Sequence, residues 1–291
     1  MIGTPSQIPH VVVLGAGFGG ISTIRALSKA AVRLTIVDQH NYHLFQPLLY
    51  QVSTALVSAD EIAYPVRAII RHQKNASFQL AKVKAVDLAQ KRLDTNAGSI
   101  YYDHLVFAAG GVTNFFGLES LKQNAFSLKD LDEAKDIRNH LLKMFELAST
   151  EKDETRRRAL LTFIIAGGGP TGVESAGALS ELTRLVLAKD YPDLDPHEIH
   201  ILLLEAADHL LPAMPPDLSD FTLKVLNRKK IDVRFGAIVE SFNGRQVVLK
   251  NGQVLPAGTL IWAAGVQANP LAVSLAQPVG SLGRVRVQPT L

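Results

Sequence analysis

The pattern G-x-G-x-x-G occurs twice in this chain, as Gly15-Ala16-Gly17-Phe18-Gly19-Gly20 and as Gly167-Gly168-Gly169-Pro170-Thr171-Gly172. Each copy has the same surroundings. Residues 11–14 and Thr162–Ala166 are short apolar runs before the loops and read as buried parallel strands. Ile21, Ile24 and Leu27 follow the first loop at helical spacing; Val173, Ala176, Leu179 and Leu182 follow the second. A further apolar strand then ends in a carboxylate, Asp38 in one copy and Glu205 in the other. The acid lies 23 residues past the first glycine in the first copy and 38 in the second, where the helix and the loop 192–199 are longer. Residues 78–87 and 231–242 read as the next strands, with hairpin signals at Asn243-Gly244 and Asn251-Gly252. Strands over 100–107 and 260–262 run into Ala108-Ala109-Gly110 and Ala263-Ala264-Gly265. From the first loop glycine to the closing glycine is 95 residues in one copy and 98 in the other, so one plan is used twice. The expected class is α/β, with two Rossmann-like dinucleotide-binding domains.

The spacing has a steric reason. The first glycine permits a tight turn, the second lets a pyrophosphate approach the backbone, and the third lets helix and strand pack closely. The helix N-terminus then offers free N–H groups and roughly half a positive charge to the phosphates. Asp38 and Glu205 stand where a carboxylate can accept the ribose hydroxyls of an adenosine. The cysteine count is zero, which excludes disulfides, thiolate metal sites and dithiol redox chemistry. Two dinucleotides without thiols point to one flavin and one nicotinamide nucleotide, with hydride passing between them.

Other classes lack support. The net charge is only +3 and no basic run is interleaved with aromatics, so no nucleic-acid partner is expected. No window approaches the ~20 apolar residues of a membrane span, and the first residues show no leader pattern. His40 with His43, and His197 with His200, lack a third ligand at suitable spacing, so no metal is expected. Between the two copies, residues 127–149 carry a helical stripe with Ser127 as N-cap and Asp130 three on. Residues 151–158 read as a charged linker, and its Arg156-Arg157-Arg158 run as a solvated loop rather than a membrane contact.

Residues 41–52 (NYHLFQPLLYQV), 102–106, 113–117, 167–182, 210–216 and 261–266 resemble the type II NADH dehydrogenases, single-subunit NADH:quinone oxidoreductases. The resemblance covers essentially the whole chain. It implies that residues 1–119 and 268–291 hold FAD and that an inserted domain, 120–267, holds NADH. It carries the FAD contacts onto residues 15–20, Asp38, Gln39, His43, Val83, Ala109 and Gly110. The NADH contacts fall on residues 167–172, Glu205, Ala264 and Gly265. Glu174 matches an acid beside nicotinamide and flavin with a role in the quinone half-reaction; a helix-dipole role accounts for an acid there equally well. Pro47 would shape a wall near the flavin or simply pack in a core. The resemblance implies a quinone acceptor, a membrane surface reached through a later C-terminal region, a peripheral place on the cytoplasmic face of the inner membrane, and leaves a homodimer open. The family continues past RVRVQPTL, so a truncated chain with weak FAD retention and impaired turnover is expected. A ferredoxin-type acceptor, or a nucleotide-binding redox module without turnover, are the alternatives.

Overall fold

The computed structural model describes residues 8–290, with the backbone alone for residues 185–188. The leader pattern sought in residues 1–7 lies outside the described residues. Two compact units emerge, Met1–Phe45 with Ile62–Val112 and Val266–Leu291, and Gln46–Glu61 with Thr113–Gly265. Their boundaries fall at different residues from those read in the sequence, most visibly in assigning Gln46–Glu61 to the second unit.

In the first unit β1 (His10–Leu14) leads into α1 (Phe18–Ala26), then β2 (Arg33–Asp38), β3 (Ala76–Leu80) and, after a meander, β7 (His104–Phe107). These strands form a sheet in the order β3-β2-β1-β7, and every pairing is parallel. The meander comprises β4 (Val83–Asp87), β5 (Arg92–Thr95) and β6 (Gly98–Tyr101), all antiparallel. The unbroken apolar run of β1 follows from burial on both faces. Val11 and Val13 pack with Ile21 and Ile24 of α1, while Val12 and Leu14 pack with Val83, Leu93 and Ile100 of the meander.

The second unit repeats the plan. Its sheet runs β8-β15-β9-β10-β11, that is Phe126–Ser127, Thr259–Trp262, Thr162–Ala166, His200–Leu204 and Ile231–Arg234, again all parallel. Its meander is β12 (Val239–Phe242), β13 (Gln246–Leu249) and β14 (Val254–Pro256). The Asn-Gly turns stand where expected: Gly244 and Gly252 have φ of 83° and 84°, a region open to glycine. Asn243 Oδ1 accepts from the N–H groups of Arg245 and Gln246, both at 3.0 Å.

Several local expectations need correction. The runs 78–87 and 100–107 are each two strands, because the chain leaves the parallel sheet for the meander at 81–82 and rejoins it at 102–103. The run 231–242 is broken for the same reason. The helix read from 127 begins later, as α2 (Leu131–Thr150). Asp130 is its N-cap and forms a capping box with Glu133; Ser127 is a strand residue whose hydroxyl bonds Glu133. The linker at 151–158 contains α3 (Glu154–Leu160), N-capped by Asp153. Within its arginine run, Arg157 is structural: it pairs with Glu198 at 2.7 Å and donates to the carbonyls of Ala148 and Asp193.

His10, His140 and His200 are each held below the usual imidazole range, foremost by burial. The unfolded chain therefore binds more protons than the folded one as pH falls through the ordinary value of 6.5. Stability from these three sites is present above that pH and is lost below it. Melting curves at pH 7.5 and 5.5 should show the lower midpoint at acid pH, and His140→Gln should lessen the difference.

Candidate dinucleotide sites

The two glycine loops match bond for bond. Gly15 N–H donates to Val37 and Gly167 N–H to Leu204, both at 2.8 Å. Gly15 and Gly167 have φ of 104° and 113°, which only glycine adopts readily. A Cβ on either would strike the neighbouring strand end, at Ala108 in one unit and Ala263 in the other. A Cβ on Gly20 would collide with the Gly15 carbonyl oxygen, and one on Gly172 with that of Gly167. Gly17 and Gly169 are different: nothing lies within 4 Å of an added Cβ. The first and third glycines answer to packing, and the middle one leaves open the side from which a diphosphate approaches the helix N-terminus.

The two acids brace these loops. Asp38 accepts the N–H of Ala16 at 2.7 Å on one oxygen and that of His40 at 2.8 Å on the other. Glu205 accepts the N–H groups of Gly168 and Ala207 in the same way. A carboxylate has about four lone-pair sites, so each acid retains acceptors for a ribose diol. The cradle, the open middle glycine and the acceptor pair all fit a dinucleotide.

In the first unit a cavity of about 520 Å³ joins several sequence candidates: Gly15, Asp38, Gln39, Val83 and Ala109 line it. Lys82 and Lys84 also line it, as does the returning segment Asn269–Leu271. Asn269 was not singled out from the sequence, although Asn-Pro signals a turn. Its side-chain amide donates to the Ala109 carbonyl at 3.2 Å and its N–H to the Gly110 carbonyl at 3.1 Å, fixing the strand end. His43 lies outside that lining. Its Nδ1–H donates to the Ala16 carbonyl at 2.8 Å, and its ring meets Phe18 edge-on at 5.1 Å. The bond ties the Tyr42–Leu44 strand to the first glycine loop. A Cβ added to Gly19 would lie 3.7 Å from the Ala108 methyl, and Gly110 has a φ of 68°.

In the second unit Pro170 and Thr171 open α4 (Pro170–Asp190). Gly265 lies against the Phe116 ring and the Asn114 carbonyl, where a Cβ would not fit. Asn114 was missed as a brace: its N–H donates to Gly265 at 3.0 Å and its carbonyl accepts from Trp262 Nε1 at 2.8 Å. Ala264 lies between these fixed points, its Cα beside Gly167. Glu174 is exposed one turn into α4, yet the protein around it displaces enough water to push its carboxyl above the usual range. The adjacent Ser175 hydroxyl is buried without a hydrogen-bond partner among the described residues.

The NYHLFQPLLYQV stretch divides. Residues up to Phe45 belong to the first unit, and Gln46 onward to the second. Pro47 sits in the 3-10 turn Gln46–Leu48, and Leu49 and Val52 are buried in the second unit.

Two parallel sheets, each with a glycine loop at a strand-to-helix junction and an acid at or directly after the end of the next strand, define a double dinucleotide-binding fold. Residues 9–291 match the family described as pyridine nucleotide-disulphide oxidoreductase, and the chain belongs to that family. It is 35% identical over 305 residues to a type II NADH:quinone oxidoreductase of Mycobacterium tuberculosis, covering 99% of this chain and 65% of that protein. It is 30% identical over 270 residues to a type II NADH:quinone oxidoreductase of Staphylococcus aureus, covering 90% of this chain and again 65% of the other. The chain thus spans 65% of the length of these relatives. The structure of NDH2 from Plasmodium falciparum in complex with NADH has the same fold, with a TM-score of 0.87 at 23% identity over 95% of this chain and 59% of that one.

Proposed function

We propose that this chain carries the FAD- and NADH-binding portion of a type II NADH:quinone oxidoreductase. The observation that carries the reading is the repetition of one diphosphate cradle in a chain with no cysteine. Without thiols, the disulfide shuttle in the family's name is closed to it. Electrons must pass directly between bound cofactors and an acceptor. FAD supplies the chemistry that accepts hydride from NADH and returns electrons to a quinone. The chain's own residues bind and orient. The N–H groups of the loop at 15–20 and the open side of Gly17 receive the FAD diphosphate, Asp38 its ribose, and Val83, Gln39, Ala109 and Gly110 its adenosine end. The loop at 167–172, Glu205, Ala264 and Gly265 do the same for NADH. A membrane surface reached through a later region, a peripheral place on the cytoplasmic face of the inner membrane and a homodimer belong to this reading as further proposals. Among the described residues no helix is long and apolar enough to cross a membrane.

The test is reconstitution of the chain with FAD. NADH should bleach the flavin absorbance, and a soluble quinone should restore it at a rate matching turnover. Bleaching with restoration only by a ferredoxin would redirect the acceptor. No bleaching would return the chain to a nucleotide-binding module.

We assign Glu174 to the quinone half-reaction of this enzyme, as a proton-holding carboxyl. Glu174→Gln should slow quinone-dependent turnover with NADH saturating. Its stability effect has a definite sign. The folded chain binds the Glu174 proton more tightly than the unfolded one, so the burial penalty is fully present above the folded pKa and relieved as pH falls through it. At neutral pH the glutamine variant should melt no lower than the parent. A lower midpoint with unchanged turnover would make Glu174 a helix-terminus charge instead.

A further inference from the structure

The first unit holds a second concave region, away from its glycine loop. A groove of about 800 Å³ borders the edge strand β3 near the start of β1 and β2. Its lining includes two arginines, Arg33 and Arg67, the Gln79 amide and the hydroxyls of Thr35 and Ser77, with no carboxylate. Neither guanidinium has an ion-pair partner among the described residues. Arg67, from the short helix Val66–Ile70, holds its guanidinium carbon 5.3 Å from the centre of the Phe78 ring, a cation–π contact. Arg33 stands at the start of β2.

The floor is organised by polar groups that are nine-tenths buried. His10 is 8% exposed and Thr35 7%. His10 Nδ1–H donates to the Tyr101 carbonyl at 2.8 Å, and Nε2 meets Thr35 Oγ1 at 2.8 Å. Thr35 Oγ1 in turn lies 3.3 Å from Ser77 Oγ, which donates to the Leu34 carbonyl at 3.2 Å. When neutral, Nε2 accepts from Thr35. When protonated, it donates, and the chain His10 to Thr35 to Ser77 to Leu34 reads in one direction with every hydrogen used. Burial and then the Arg33 charge disfavour that protonated ring, against the Tyr101 bond and the Asp103 charge. Asp103 itself accepts the His10 N–H at 2.7 Å. The groove is therefore positively polarised with nothing inside it to balance the charge. The cavity beside β10 and β11 of the second unit differs on this point. Arg158, Lys230 and Arg234 line it together with Glu154 and Asp232, and Asp232 already holds Arg234 at 2.7 Å.

We propose that the groove between Arg33 and Arg67 binds a phosphate-bearing ligand. Bidentate guanidinium contacts hold the anion, the Gln79 amide donates to it, and the anion's charge favours protonated His10 below. The chemistry is shared by a free phosphate compound and by a phospholipid headgroup, and the two arms of the test separate them.

The full chain, with FAD and NAD+ present to fill the glycine loops, is titrated with inorganic phosphate while the His10 ring is followed by NMR. The expected result is a saturable shift of the His10 signals and a titration point higher in phosphate than in chloride. The variant R33A/R67A should bind at least tenfold more weakly, while its melting midpoint and far-UV circular dichroism report an intact fold. Arg67→Lys, which keeps the charge but loses the fork, should fall between. The second arm floats the chain with phosphatidylcholine vesicles containing phosphatidic acid. Vesicle binding that R33A/R67A abolishes, with free phosphate silent, assigns the site to a headgroup. No response of His10 to phosphate and no vesicle binding, or a response unchanged in R33A/R67A, overturns the proposal. The result is independent of whether the dinucleotide loops act as proposed.

Discussion

Gly20→Val should abolish FAD binding by the first unit, with affinity at least a hundredfold lower and a clear drop in melting midpoint. The added side chain has no room. Even its Cβ would collide with the Gly15 carbonyl and press on Val13. The carbonyl cannot swing away, because Gly15 is anchored to Val37 at 2.8 Å and sits at a φ of 104°. Helix α1 must then retreat from β1. Overpacking of this kind costs about 1–3 kcal/mol, and retreat also withdraws the helix N-terminus from the phosphates. Gly17→Ala is the matching control. Its Cβ meets no protein atom within 4 Å, so the fold should melt as before. FAD affinity should still fall, because the methyl occupies the side a diphosphate approaches. Flavin titration and thermal melts of the two variants separate a packing glycine from an access glycine. Equal FAD affinity in Gly20→Val and parent would show that the first loop is not the FAD cradle.

Glu205→Ala should weaken NADH binding by tenfold or more and erase a preference for NADH over NADPH. Glu205 directly follows β10 and precedes Ala206 and Ala207, which offer no cation to a 2′-phosphate. A phosphate would bring negative charge to the carboxylate, where water is partly excluded and repulsion is strong. A hydrogen bond to a charged group contributes about 1.5–3 kcal/mol, enough for the stated factor. The structure adds a second effect. Because Glu205 also accepts from Gly168 and Ala207, its removal frees the loop as well as the ribose contact. Glu205→Gln keeps one acceptor oxygen and should lose less. Dissociation constants for both nucleotides, measured on all three proteins, test this. Equal affinity for NADH and NADPH in the parent would remove Glu205 from the ribose.

Much of the site was legible because its constraints are local. A tight turn, a close helix and an open approach each demand glycine at a set distance from a strand, so residues 15–20 and 167–172 announce themselves. The matching offsets of the two copies exposed the repeated plan for the same reason. What escaped notice rests on partners far apart in the chain. Asn269 closes on Ala109 across 160 residues, and Trp262 reaches Asn114 across 148. No spacing rule encodes such contacts, since each joins segments that only the folded chain brings together.

The division between sequence and structure is sharpest where one residue type serves two ends. Sequence determined that Asp38 and Glu205 stand at strand ends beside glycine loops. Only the tertiary structure decided that each also braces its loop, because a carboxylate satisfies whichever N–H groups the fold brings within reach. Sequence marked residues 41–52 as one distinctive stretch, and packing split it between units after Phe45. Three adjacent arginines look alike as a charge run, but helical geometry turns Arg157 inward to Glu198 and leaves Arg156 and Arg158 exposed. Ser127 and Asp130 are both good N-caps by type. The pairing of Phe126–Ser127 with β15 takes the first into a strand and leaves the second to start the helix, since backbone hydrogen bonds to a neighbouring strand outweigh a local preference for capping.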